Sequence, residues 1–136
     1  MQVYATTVAL QGAGLLILGP SGSGKSSLAL QLMAVGAVLV ADDRTDLHRD
    51  GDRIVATCPP ALLDRIEARG IGILHAASSG PVALARVVDL GAGPGDRLPH
   101  SQSYDVLGVA LPLVTGPYQP HLYAALRQLL LGGRVA

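Results

Sequence analysis

An α/β domain with a mostly β central sheet flanked by helices is the fold class this sequence predicts, and three observations predict it. A glycine-rich loop, Gly19-Pro20-Ser21-Gly22-Ser23-Gly24-Lys25-Ser26, follows an apolar run and precedes a helical pattern. Short apolar or β-branched runs recur along most of the chain, punctuated by Gly and Pro. Three stretches carry apolar residues at helical spacing: from Lys25, from Pro59, and from Leu122.

In chain order, Val3 to Leu10 is rich in β-branched residues, Gln11-Gly12 can turn, and Leu15-Leu16-Ile17-Leu18 reads as a buried strand, so a hairpin feeds the loop. Leu28, Leu32 and Val35, with Ala29 and Met33 beside them, give a helix that Gly36 ends. Ala37 to Ala41 reads as a second buried strand delivering Asp42-Asp43 at its carboxyl end, the ligand-binding edge of α/β sheets. His48 to Arg53 surrounds an Asp-Gly turn, with Ile54 to Ala56 as the return strand of a solvated hairpin. Pro59-Pro60 opens a helix with Leu62, Leu63 and Ile66 on one side, Glu67 and Arg69 in its last turn, and Gly70 as its stop. Ile71 to Leu74 and Val82 to Leu90 follow as strands, Gly91 to Pro99 as a mobile loop, Val106 to Val114 as one more apolar run, and Leu122 to Leu131 as a terminal helix.

The loop carries the chemistry. Its pattern G-x-x-x-x-G-K-S is the phosphate-binding P-loop: glycines let the backbone wrap tightly and turn successive N–H groups inward, and the following helix adds its positive dipole. Gly19, Pro20, Ser21, Gly22, Ser23, Gly24, Lys25, Ser26 and Ser27 are therefore the candidate nucleotide-binding residues. Lys25 is placed to reach terminal phosphates and Ser26 to ligate Mg²⁺, which implies ATP or a similar triphosphate with Mg²⁺.

Composition narrows the partners. The 136 residues hold ten Lys and Arg against ten Asp and Glu with no basic stripe, so a nucleic-acid binder is not expected. No segment approaches the ~18 apolar residues of a membrane span, and Met1 to Gly14 lacks a signal-peptide pattern. With no Phe or Trp and four Tyr, base stacking on an aromatic platform is not expected either. The single Cys58 excludes an internal disulfide and fits a reducing, cytoplasmic setting. The chain has the size of one domain.

Asp42 and Asp43 suit phosphoryl transfer: one carboxylate can help hold Mg²⁺ while the other accepts a proton from an attacking hydroxyl. A helix cap or solvated turn explains the pair equally well. Small GTPases are demoted because no T-K-x-D motif follows.

Three strings decide further. The run from Gly19 through Ser26 continued by Ser27-Leu28-Ala29-Leu30, then Val40-Ala41-Asp42-Asp43, then Ile66-Glu67-Ala68-Arg69-Gly70-Ile71-Gly72-Ile73 resemble, in order and spacing, the catalytic domain of the bifunctional HPr kinase/phosphorylase family. The likeness is firm over Gly12 to Leu74 and weak from Val82 to Val114, and residues 1–136 are expected to form a single kinase domain without the family's amino-terminal domain. It implies an ATP-dependent protein-serine kinase that phosphorylates HPr, the phosphocarrier of the phosphotransferase system, and can reverse the step with inorganic phosphate. Carried over by position, the catalytic group is Asp43 (base forward, acid in reverse), Lys25, and Asp42 and Arg69 in support. Ser26 and Glu67 fall on the Mg²⁺ ligands. The family's hexamers imply a homo-oligomer.

Departures from the family pattern set further expectations. Tyr4 stands where the family usually has a histidine, and Ser27 where it has an acidic residue. Leu111 to Pro117 lacks the arginine of the family's Pro-Val-Arg-Pro-Gly string, leaving Arg86, Arg97 or Arg127 as spatial substitutes. Weak or absent reversal is expected. A small-molecule P-loop kinase and a non-catalytic nucleotide-sensing module are the alternative readings.

Overall fold

The structure is a computed structural model that describes residues 1–93 and 95–136. Among the described residues, eleven strands and two α-helices run β1 (Gln2–Val3), β2 (Thr6–Leu10), β3 (Ala13–Leu18), α1 (Lys25–Ala34), β4 (Val38–Ala41), β5 (Thr45–Asp50), β6 (Arg53–Thr57), β7 (Arg65–Ala68), β8 (Gly72–His75), β9 (Val82–Asp89), β10 (Gln102–Val106), β11 (Val109–Thr115) and α2 (Leu122–Gly132).

The expected first hairpin is present: β2 and β3 pair antiparallel with Leu10 opposite Ala13. Gln11 and Gly12 both adopt positive φ, 51° and 81°, the two-residue turn whose twist matches the flanking strands. Nine strands form one sheet in the order β1-β5-β6-β9-β3-β2-β4, with β11 also on β9 and β10 on β11. The far edge of β9 is shared: its amino-terminal part pairs with β6 and its carboxyl-terminal part with β11.

Strand direction places the chemistry. β3 and β11 each lie parallel to β9, and β4 and β3 each lie antiparallel to β2, so β3, β4, β9 and β11 all end at the same sheet edge. The loop after β3, Asp42-Asp43 after β4, and the start of β2 meet there.

Alternation along the central strands feeds two cores. Val8, Leu10, Leu15, Ile17 and Leu39 pack with Leu28 and Leu32 of α1 and Leu126 of α2. Ala9, Leu16, Val40 and Val87 pack instead with Leu47 and Ile54 of the β5–β6 hairpin and Val106 and Leu111 of the β10–β11 hairpin. The sheet is flanked by helices as expected. Both helices cover one face, while the curled outer hairpins cover the other.

Two expected elements are corrected. Pro59 to Gly70 is not a helix but a short 3₁₀ turn, Pro60–Leu62, followed by β7. Ile66 and Ala68 are buried while Arg65 and Glu67 are exposed, a period of two that overrides the helical reading of the same apolar residues. Gly70, at φ 84°, then sits in the turn of the β7–β8 hairpin. Val106 to Val114 is likewise not one run: Leu107 and Gly108, at φ 50° and 85°, fold it into the β10–β11 hairpin. The loop expected over Gly91 to Pro99 includes Pro94, which lies outside the described residues; its described residues belong to no helix or strand.

Candidate phosphoryl-transfer site

The loop between β3 and α1 is closed by its own backbone: Ser23 N–H donates to the Pro20 carbonyl at 3.1 Å, and Leu28 N–H to the Gly24 carbonyl at 2.9 Å. A Cβ at Gly19 would run into Ser23 Oγ, so the first loop position must be glycine. The Lys25 ammonium folds back and donates to the carbonyls of Gly19 (2.7 Å) and Pro20 (3.1 Å). Ser23 Oγ is buried with no hydrogen-bond partner among the described residues. An orphaned hydroxyl, a preformed loop and an adjacent ammonium together fit a bound phosphate.

Asp42 is 6 % exposed and ties four segments together. Its Oδ1 accepts from Ser26 Oγ at 2.7 Å and from Thr6 Oγ1 at 2.9 Å, and its Oδ2 accepts from the Glu67 backbone N–H at 2.9 Å. Three donors fixed on one buried carboxylate register α1, β2 and β7 against β4. Asp42→Ala should therefore orphan all three and cost about 3 kcal/mol. A fall in melting temperature on the order of 10 °C is expected, larger than for Asp43→Ala. Thermal denaturation of the two variants side by side checks it; equal melting points would remove Asp42 from the scaffold.

Asp43 is held differently. Arg44 N–H donates to the Asp42 carbonyl at 2.8 Å across it, and Asp43 sits at φ 69°, so the carboxylate rides at the centre of a three-residue turn with positive central φ, a strained form. Its side chain is 69 % exposed, and its Oδ2 lies 4.0 Å from Arg44 Nε. The Arg44 guanidinium stands over the Tyr4 ring, 5.3 Å from its centroid.

Glu67 reaches the site from the exposed face of β7, and Arg69 from the turn that directly follows it; both line the cleft. The Arg69 guanidinium lies against Gly22 of the loop, 3.7 Å from where a Cβ would stand there.

These groups surround one cleft of about 530 Å³, lined by Gly19 through Ser27, Asp42, Asp43, Glu67 and Arg69, together with Tyr4, Thr6 and Tyr118. Every site residue expected from the sequence lines it. The Mg²⁺ expectation fits the donor set: Ser26 Oγ and the Asp42 and Glu67 carboxylates are hard oxygens, and Mg²⁺ is usually held by one or two carboxylates with phosphates supplying the rest.

Among the arginines offered as substitutes, none lines the cleft; Arg127 instead donates through Nε to the Val35 carbonyl at 3.3 Å. Sequence reasoning missed Thr6, Arg44 and Tyr118. Arg44 directly follows the acidic pair, which was a usable signal; Thr6 and Tyr118 reach the site through strand order alone. Cys58 is no nucleophile candidate: burial, then the charges of Asp46, Asp64 and Asp42, push its thiol pKa up, away from the thiolate.

The domain model for the HPr serine kinase C-terminal domain matches residues 1–83. The HPr kinase/phosphorylase of Cupriavidus metallidurans is 42% identical over 115 residues, 76% of this chain and 36% of that protein. That of Burkholderia lata is 38% identical over 125 residues, 83% of this chain and 39% of that protein. The chain thus spans little more than a third of the length of these curated relatives. The solved structure of the Hpr(Ser) kinase/phosphatase from Coxiella burnetii is similar with a TM-score of 0.86 and 25% identity, covering 99% of this chain and 97% of that one.

Proposed function

Because the chain belongs to the HPr serine kinase C-terminal domain family, we propose that it is a Mg²⁺- and ATP-dependent protein-serine kinase whose acceptor is the phosphocarrier HPr. The observation that carries this reading is the convergence of Lys25, Ser26, Asp42, Asp43, Glu67 and Arg69 on one cleft. The loop N–H groups and Lys25 bind the phosphates, with Arg69 beside them at Gly22. Asp42 fixes the Ser26 hydroxyl, and Ser26 and Glu67 would hold Mg²⁺. That ion, when bound, would neutralise charge developing between the outer phosphates. Asp43, exposed and aimed by its turn, would accept the proton of an incoming serine hydroxyl.

Residues 1–136 are read as one kinase unit working in the cytoplasm, and as a homo-oligomer on the strength of the family likeness. Among the described residues no helix is long and apolar enough to cross a membrane. The test is incubation of the purified chain with labelled ATP, Mg²⁺ and HPr, followed by mapping of the labelled residue. Label on an HPr serine supports the proposal; nucleotide binding without transfer would favour a sensing module.

The forward direction is expected to be the stronger. Reversal must bring inorganic phosphate beside a phosphoserine, which demands positive charge at the acceptor end. Tyr4, a phenol, supplies none, whereas Arg44 stands over it, already facing Asp43. Arg44→Ala should therefore lower phosphate-driven release of label from phosphorylated HPr several-fold more than it lowers the forward rate. Brisk release by the wild type that survives this substitution would refute the charge argument.

A further inference from the structure

Strand order divides the cleft into two flanks. On one side of β3 lie β2 and then β4, bringing Tyr4, Asp42 and Asp43 to the loop; on the other lie β9 and then β11. The segment leaving β11 carries Tyr118, which lines the cleft and presses on the loop itself. A Cβ placed on Gly24 would stand 2.8 Å from Tyr118 Cγ and 2.9 Å from Cδ1, closer than packed carbons come. Gly24 is thus required twice, for its φ of 104° and to admit the ring.

The segment is fixed at both ends. Gly116 N–H donates to the Asp89 carbonyl at 3.2 Å, and Gln31 Nε2 of α1 donates to the Pro120 carbonyl at 3.2 Å. Tyr118 also packs against the core beneath α1 and α2, so the ring is held before any ligand arrives.

A triphosphate laid across the loop has its transferable phosphate at one end and its base at the other. With the transferable phosphate toward Asp43, the nucleoside end points to the opposite flank, where Tyr118 is. We propose that Tyr118 is the nucleobase contact of this site, a preset aromatic wall against which the flat heteroaromatic base of the nucleotide stacks. The proposal rests on the nucleotide-binding reading above and assigns the end of the ligand that the loop does not read. It reverses the expectation, drawn from composition, that no aromatic platform serves a base.

The test separates base from phosphates by titrating Mg-ATP and Mg-tripolyphosphate into the full chain by calorimetry. Tyr118→Leu keeps apolar packing but removes the π-face, and should weaken Mg-ATP about tenfold, within the range base–aromatic stacking gives, while Mg-tripolyphosphate affinity stays within about twofold. Tyr118→Phe should keep both. An unchanged affinity ratio in the leucine variant, whether both ligands hold or both fall together, overturns the assignment. So does a wild type that binds tripolyphosphate as tightly as ATP. A wild type that binds neither overturns the nucleotide reading itself, and this inference with it.

Discussion

Lys25→Ala should weaken Mg-ATP binding at least about 100-fold. Each charge-assisted hydrogen bond to a phosphate oxygen contributes roughly 1.5–3 kcal/mol, and one ammonium can make more than one. The same ammonium now donates to the carbonyls of Gly19 and Pro20, so it also braces the loop that presents the backbone N–H groups. Removing it takes away both the cation and the brace. The fold should survive, because Lys25 opens α1 at its solvent-facing end and belongs to neither core. Two measurements separate the effects. Calorimetry reads affinity directly, and melting with saturating Mg-ATP should rise for the wild type through mass action but not for the variant. Lys25→Arg should rescue poorly, since a planar fork does not replace a compact ammonium in a tight loop. Unchanged ATP affinity in Lys25→Ala would sink the P-loop reading.

What the sequence made legible were features whose physics is local. The P-loop needs glycines, a lysine and a hydroxyl at fixed spacing, and the β2–β3 hairpin needs only two β-branched or continuously apolar runs around Gln11-Gly12. The stretch from Pro59 to Gly70 failed because Leu62, Leu63 and Ile66 satisfy a helical period while the burial that decides the matter comes from tertiary contacts. Ile66 and Ala68 face inward, and the Glu67 N–H is claimed by Asp42, 25 residues upstream. Arg69 was named on resemblance and reaches the cleft from the turn after a strand that was not foreseen. Tyr118 was out of reach for a similar reason: its place follows from β11 joining β9 in parallel, a pairing that no local pattern encodes.

Asp43→Asn should leave Mg-ATP binding near its wild-type value and cut phosphoryl transfer by roughly 10²- to 10⁴-fold, the range for losing general acid–base help. Asparagine tolerates positive φ nearly as well as aspartate, so the turn at φ 69° survives and only the proton acceptor is lost. Asp43→Gly makes the complementary point. A non-glycine residue strained at positive φ costs on the order of 1–3 kcal/mol, and glycine relieves that while adding roughly 0.5–1 kcal/mol of backbone entropy to be lost on folding. The variant should be inactive yet more stable by about 1 kcal/mol, a rise of about 3–5 °C in melting temperature for a chain of this size. A residue held at φ 69°, 69 % exposed and, among the described residues, without a close side-chain hydrogen bond is placed for chemistry rather than for stability. Single-turnover transfer to HPr and thermal melting of both variants decide the case. Wild-type transfer by Asp43→Asn would remove it as the base, and a glycine variant that melts lower than wild type would show that the turn stores no strain.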